Sequence, residues 1–146
     1  MLAVKKYILL FVLLVISIVF VTCRVAIEKV KQRKLEVDAF ALESAFSVAK
    51  YVGEYSECPI RPHGWKEAFE NERGNLELKI GYIRLTYQCK MDLSAKISVF
   101  YSFDSEAVAY IKPSGNIKWE YGHFTAKKEV HVVSRESILA TLNAIR

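Results

Sequence analysis

The sequence predicts an α+β chain. One long N-terminal helix, transmembrane in its first half and amphipathic in its second, packs on an antiparallel sheet of about four to five strands, and a short C-terminal helix follows. Three observations predict this. No Gly or Pro occurs before Gly53. Apolar residues in that stretch recur at helical spacing. Beyond Asn75 the apolar period changes to two.

Residues 1–6 form a short basic terminus carrying Lys5 and Lys6. From Tyr7 to Cys23 run 17 residues without a charge, rich in Leu, Ile, Val and Phe. As a helix they measure roughly 26 Å, close to the hydrocarbon thickness of a bilayer, and Lys6 and Arg24 can snorkel to close the gap. Cleavage of a signal peptide and lipid attachment at Cys23 are the alternatives. Both want small residues before the processed position, and Phe20, Val21 and Thr22 precede Cys23. The expectation is an uncleaved anchor.

Charge is unevenly placed. Residues 1–36 hold 7 Lys/Arg and 2 Glu, whereas residues 37–146 hold 14 basic and 14 acidic side chains. The excess therefore gathers beside the apolar run. Arg24, Lys29, Lys31, Arg33 and Lys34 make a basic juxtamembrane segment over 24–36, and Lys5 and Lys6 sit before the span. All seven are expected at the membrane surface, where each cation facing anionic head groups gains about 1 kcal/mol. A neutral domain over 37–146 argues against nucleic acid as a partner. Orientation is contested. Basic residues after the span favour a cytoplasmic domain, yet long domains cross largely regardless of charge. A short basic terminus followed by an apolar run looks like a signal anchor, so the expected location is an inner or plasma membrane, single-pass, with the domain periplasmic or extracellular.

Two stripes continue the helix. Val30, Val37, Ala41, Ala45, Val48 and Val52 form one, and Leu35, Leu42, Phe46 and Ala49 the other. Together they make residues 37–52 apolar over most of the circumference, which demands a cover such as a sheet. Anchor and packed helix read as one helix of about 45 residues, roughly 68 Å long, ended by Gly53. A loop over Glu54–Gly64 follows. Trp65–Gly74 reads as a short helix with Trp65, Ala68 and Phe69 inward. Leu76, Leu78 and Ile80, then Ile83, Leu85 and Tyr87, alternate as strands, with a bulge or tight turn at Gly81 where the parity flips. Ile97, Val99, Tyr101 and Phe103 form the next inward row. Ala107–Ile111 and Ile117–Tyr121 read as a hairpin around "KPSGN". Glu129–Val133 reads as a last strand. Ser134 then caps a helix with Ile138, Leu139, Leu142 and Ile145 on one side.

Candidate chemistry is sparse. Cys58 and Cys89 lie 31 apart in the soluble part; a disulfide is the sharper reading and two reduced thiols the other. No metal-ligand spacing, phosphate loop or nucleophile elbow occurs. His63, His123 and His131 are scattered, and Glu67, Glu70 and Glu72 read as a solvated acidic face. No cofactor and no enzymatic role are expected. Aromatic residues are plentiful, and Trp65, Trp119 and Tyr121 are candidates for a surface that meets a partner or glycan, against the alternative that they fill the core. The expected partners are the lipid bilayer and other membrane or envelope proteins, which the domain would bind or scaffold; a tethered ligand-binding domain is an alternative.

The order of anchor helix, packed half-helix, Cys58–Cys89 loop and antiparallel sheet resembles the type IV pilins and the pseudopilins of type II secretion. The resemblance covers most of the chain as architecture and implies a subunit of a secretion or pilus assembly. That family's leader ends in Gly and its mature chain carries an early Glu; here the first Gly is Gly53 and the first acid Glu28.

Overall fold

The computed structural model describes residues 1–102, 105–123, 126–132 and 134–145. The chain divides into two compact units, Met1–Lys34 and Leu35–Arg146. Helix α1 runs Leu2–Tyr55, contributing to both. It passes through Gly53, correcting the expected end. The stop is Ser56, whose φ of 53° leaves the helical region while its N–H still bonds Val52 O at 2.9 Å. Gly53 costs some helix propensity, but nothing at that position requires a left-handed residue.

Unit 1 is helix alone. The apolar side chains from Tyr7 to Val21 described as large hydrophobics are all exposed. Its serine and threonine hydroxyls turn back on the helix: Ser17 Oγ donates to Leu13 O, and Thr22 Oγ1 to Ile18 O and Val19 O. The best 18-residue window has a mean hydropathy of 2.9 with none of it buried, which is long and apolar enough to cross a membrane.

In unit 2 the sheet has seven strands rather than four to five. They are β1 Phe69–Glu70, β2 Leu76–Ile80, β3 Ile83–Cys89, β4 Ala95–Ser102, β5 Ser105–Ile111, β6 Ile117–His123 and β7 Ala126–Val132. They lie in sequence order and every neighbouring pair is antiparallel, so the sheet is a plain meander. Period two puts alternate residues on opposite faces. One face carries Leu78, Ile83, Leu85, Ile97, Val99, Ala107, Ala109, Ile111, Ile117 and Trp119 into a core shared with Val37, Ala41, Leu42, Ala45, Val48 and Val52 of α1. Both helical stripes are covered from Leu35 and Val37 onward, whereas Val30 is exposed, and burial of each large side chain contributes about 1.5–3 kcal/mol. Tyr101 joins the inward row as expected; Phe103 lies outside the described residues.

The expected helix over Trp65–Gly74 is absent. Those residues form turns and β1. Asn71 explains why: its Oδ1 accepts from Arg73 N and Asn75 N, closing a hairpin that a helix cannot contain. Arg61 Nη1 donates to the carbonyls of Trp65, Lys66 and Ala68, holding the turn before it. Trp65 and Ala68 do point inward, but Phe69 is 47% exposed.

Three hairpins share one turn. Asn71–Asn75, Lys90–Ser94 and Lys112–Asn116 each pair the first N–H with the last carbonyl and the fourth N–H with the first carbonyl. The fourth residue has positive φ in all three: Gly74 at 76°, Leu93 at 67° and Gly115 at 89°. This is a type I turn followed by a left-handed residue, where Gly avoids a Cβ clash and Leu93 does not. Gly81 forms the tight turn with Tyr82, because Ile80 pairs directly with Ile83. β7 begins earlier than expected, and Val133 lies outside the described residues. Helix α2 spans Arg135–Ile145, capped by Ser134 Oγ accepting from Ser137 N. Ile138 is buried, but Leu139 is exposed, which corrects the expected apolar side; the side chains of Leu142 and Ile145 lie outside the described residues.

Candidate functional site

The residues expected at a membrane surface sit on α1. Lys5, Lys6, Arg24, Lys29, Lys31 and Arg33 are exposed, and Lys34 is half-buried with an interaction of its own. Setting Arg24 at zero and advancing about 100° per residue, Lys29, Arg33, Lys34 and Lys31 fall near roughly 140°, 180°, 280° and 340°. The cations therefore surround the helix. They form a ring, not the single basic face of a helix lying in an interface. Cys23, at the ring's apolar edge, is an exposed free thiol.

Cys58 and Cys89 are joined, with Cα atoms 6.5 Å apart. The bond ties the segment after α1 to the end of β3. Beside it, Tyr87 Oη donates to Pro59 O at 3.0 Å, and burial pushes the Tyr87 phenol up to about 12.

Two of the three aromatic candidates for partner contact belong to the core. Trp119 is 0% exposed and Trp65 is 1% exposed. Trp65 Nε1 donates to Ser44 Oγ at 2.9 Å, and its ring stacks on Phe40 and meets Tyr87 edge-on. The physical reason is area: the face between α1 and the sheet needs large apolar side chains, and Trp supplies the most. Tyr121 alone reaches the surface, half-buried with its ring 6.1 Å from Tyr101. Tyr101 Oη in turn donates to Asp38 Oδ1, a buried carboxylate on α1. Burying Asp38 requires such partners.

The sheet's other face holds a furrow that the sequence pattern alone did not single out. Its floor is the cross-strand column Glu77, Thr86, Ser98. Taller residues flank it, with Arg84 and Phe100 paired on one side and Gln88 and Lys96 on the other. The Arg84 guanidinium lies 4.6 Å from the Phe100 ring centroid, and Lys96 Nζ 5.8 Å from that of Tyr110. The β1–β2 turn walls one end. The furrow encloses about 570 Å³. Its lining carries Arg73, Arg84 and Lys96 against Glu70, Glu72 and Glu77, which balances to zero. Glu77 is 7% and Ser98 4% exposed, and Asn71 Nδ2 donates to Glu77 Oε2 at 3.1 Å. The available sign was the run of small or polar residues at outward positions, visible only once the strands are in register.

The remaining candidates are dispersed. His63 and His131 are exposed, and the His123 side chain lies outside the described residues. Glu67 and Glu72 are exposed, consistent with a solvated acidic face. Among the described residues no group of three His, Cys, Asp or Glu side chains is placed to hold a metal ion. On the outer face farther along, Lys118 bridges Glu129 at 2.8 Å and Glu120 at 3.3 Å; the hydrogen bond to Glu129, then that to Glu120, raises the ammonium, and Lys118 holds Glu129 low. The chain matches no family model, and no curated protein or solved structure matches it significantly.

Proposed function

We propose that the chain is a single-pass anchored protein of an inner or plasma membrane, whose domain lies on the oxidising side and binds or scaffolds other envelope proteins. The observation that carries this reading is the succession on α1 of an uncharged run, exposed on all sides, and an all-round cationic ring. An apolar helix with no protein cover needs lipid, and a ring on every side suits a helix leaving a bilayer through head groups. The Cys58–Cys89 bond supports the oxidising side, since such bonds persist in extracytoplasmic compartments. That weighs against the positive-inside reading of the ring, because a domain of this length crosses largely regardless of charge. Scaffolding is favoured over catalysis because neither His63 nor His131 joins the carboxylates of Glu70, Glu72 and Glu77 that line the furrow.

Crosslinking in intact membranes tests the partner claim. Discrete, reproducible adducts to other envelope proteins are expected. A monomer under every crosslinker chemistry contradicts it. A second reading, a pilin-like subunit, is favoured by the continuity of α1 and the Cys58–Cys89 staple; a leader-trimmed, N-methylated terminus by mass spectrometry supports it, and an intact Met1 removes it.

A further inference from the structure

We propose that the furrow on the outer face of the sheet binds a neutral glycan of two to three sugar units. The inference goes beyond the anchoring reading and does not rest on it, because the furrow lies wholly within residues 69–100.

Four observations converge. The volume of about 570 Å³ is that of a small-ligand site. The floor is polar and hydrogen-bonding: the hydroxyls of Thr86 and Ser98 lie beside Glu77, whose carboxylate is fixed by Asn71. A fixed carboxylate with hydroxyls beside it matches the paired hydroxyls of a sugar, which donate and accept at short spacing. Rings stand at the edge, with Phe69 on the hairpin and Phe100 on β4, both in the lining and each met by one cation, Lys79 and Arg84 respectively; the ring area these cations leave uncovered suits the C–H face of a pyranose. Finally, three cations and three carboxylates cancel, so a polyanion or polycation gains nothing from the site's field.

The same features exclude other occupants. An extended peptide draws affinity from a free sheet edge, and the floor of this furrow lies on the face of β2, β3 and β4 rather than along the two-residue edge strand β1. An amphipathic helix needs apolar anchor pockets, and the floor here is polar. Nucleic acid needs net positive charge.

The test uses the full chain in lipid nanodiscs, since sugar-headed detergents would compete. Probes are the trisaccharide of N-acetylglucosamine, maltotriose, a heparin tetrasaccharide and an amphipathic helical peptide, read by saturation-transfer NMR and titration calorimetry. A neutral trisaccharide is expected to bind with Kd between about 10 μM and 1 mM. Phe100→Ala should weaken it by about tenfold or more, and Thr86→Val by about fivefold. Thr86→Val keeps shape and fold should Phe100→Ala not. Absence of binding by either neutral trisaccharide at about 10 mM overturns the proposal. So does undiminished binding in both variants, or tighter binding of the heparin fragment or the peptide.

Discussion

Residues 7–23 and 37–52 are both helical and mostly apolar, the first rich in Leu, Ile and Val and the second in Ala and Val, yet one is bare and the other largely covered. Their hydroxyl groups show the difference best. Ser17 and Thr22 bond only to carbonyls of their own helix, the arrangement a helix surrounded by lipid requires. Ser44 also donates to its own helix, at Phe40 O, but accepts from Trp65 Nε1, 21 residues on, and Asp38 accepts from Tyr101, 63 residues on. Residues 37–52 also hold Asp38, Glu43 and Lys50, where 7–23 hold no charge. The partners that the polar groups find sharpen that distinction.

The largest test of that contrast removes one leucine from each side. Leu42→Ala should destabilise the domain by about 3 kcal/mol, with its cavity left under the sheet. Leu14→Ala should leave domain unfolding unchanged. Both tryptophans lie in the core of unit 2, so denaturant unfolding followed by their fluorescence reports that unit alone. Equal effects of the two changes would break the comparison.

Next comes the staple. Replacing Cys58 and Cys89 together by Ser should cost about 3–4 kcal/mol on the chain-entropy account for a loop of 31 residues, in the same assay. Native protein prepared without reductant should take up alkylating reagent at Cys23 only, rising to three sites after reduction. Three reactive thiols before reduction would place the domain in a reducing compartment.

Ser44→Ala should cost about 1–2 kcal/mol, because the buried Trp65 Nε1–H loses its acceptor, while Ser17→Ala should cost the domain nothing. The smallest effect is alkaline. The Tyr87 phenol is raised above its unfolded value of 10.0 to about 12, so the folded state keeps a proton that the unfolded state loses. That contribution is whole below about pH 10 and lost as pH rises toward about 12. Tyr87→Phe should cost about 1 kcal/mol at neutral pH through the bond to Pro59. It should also flatten this alkaline decline; an unchanged pH profile would show that Tyr87 is not its source.

Local patterns were legible and distant partners were not. The stripes Val37–Val52 and Leu42–Ala49 gave the packed face of α1, and alternation gave β2 to β6, because each is a property of neighbouring residues. The β1 hairpin was misread as helix because "WKEAFENERG" carries helical spacing, while the deciding bonds from Asn71 and Arg61 depend on chain reversal. Ser56 ended α1 where Gly53 was expected, since the stop is set by the following loop. The furrow was invisible because it exists only where Glu77, Thr86 and Ser98 align across three strands. Composition says nothing of which face a ring occupies, so Trp65 and Trp119 read in the sequence as either surface or core.

The central claim is an anchor over residues 7–23 with the domain on the oxidising side. Protease added to intact spheroplasts tests it most directly. The account predicts that epitopes beyond Gly53 are lost without lysis while a short N-terminal fragment stays in the membrane. Epitopes protected until the membrane is broken would contradict it.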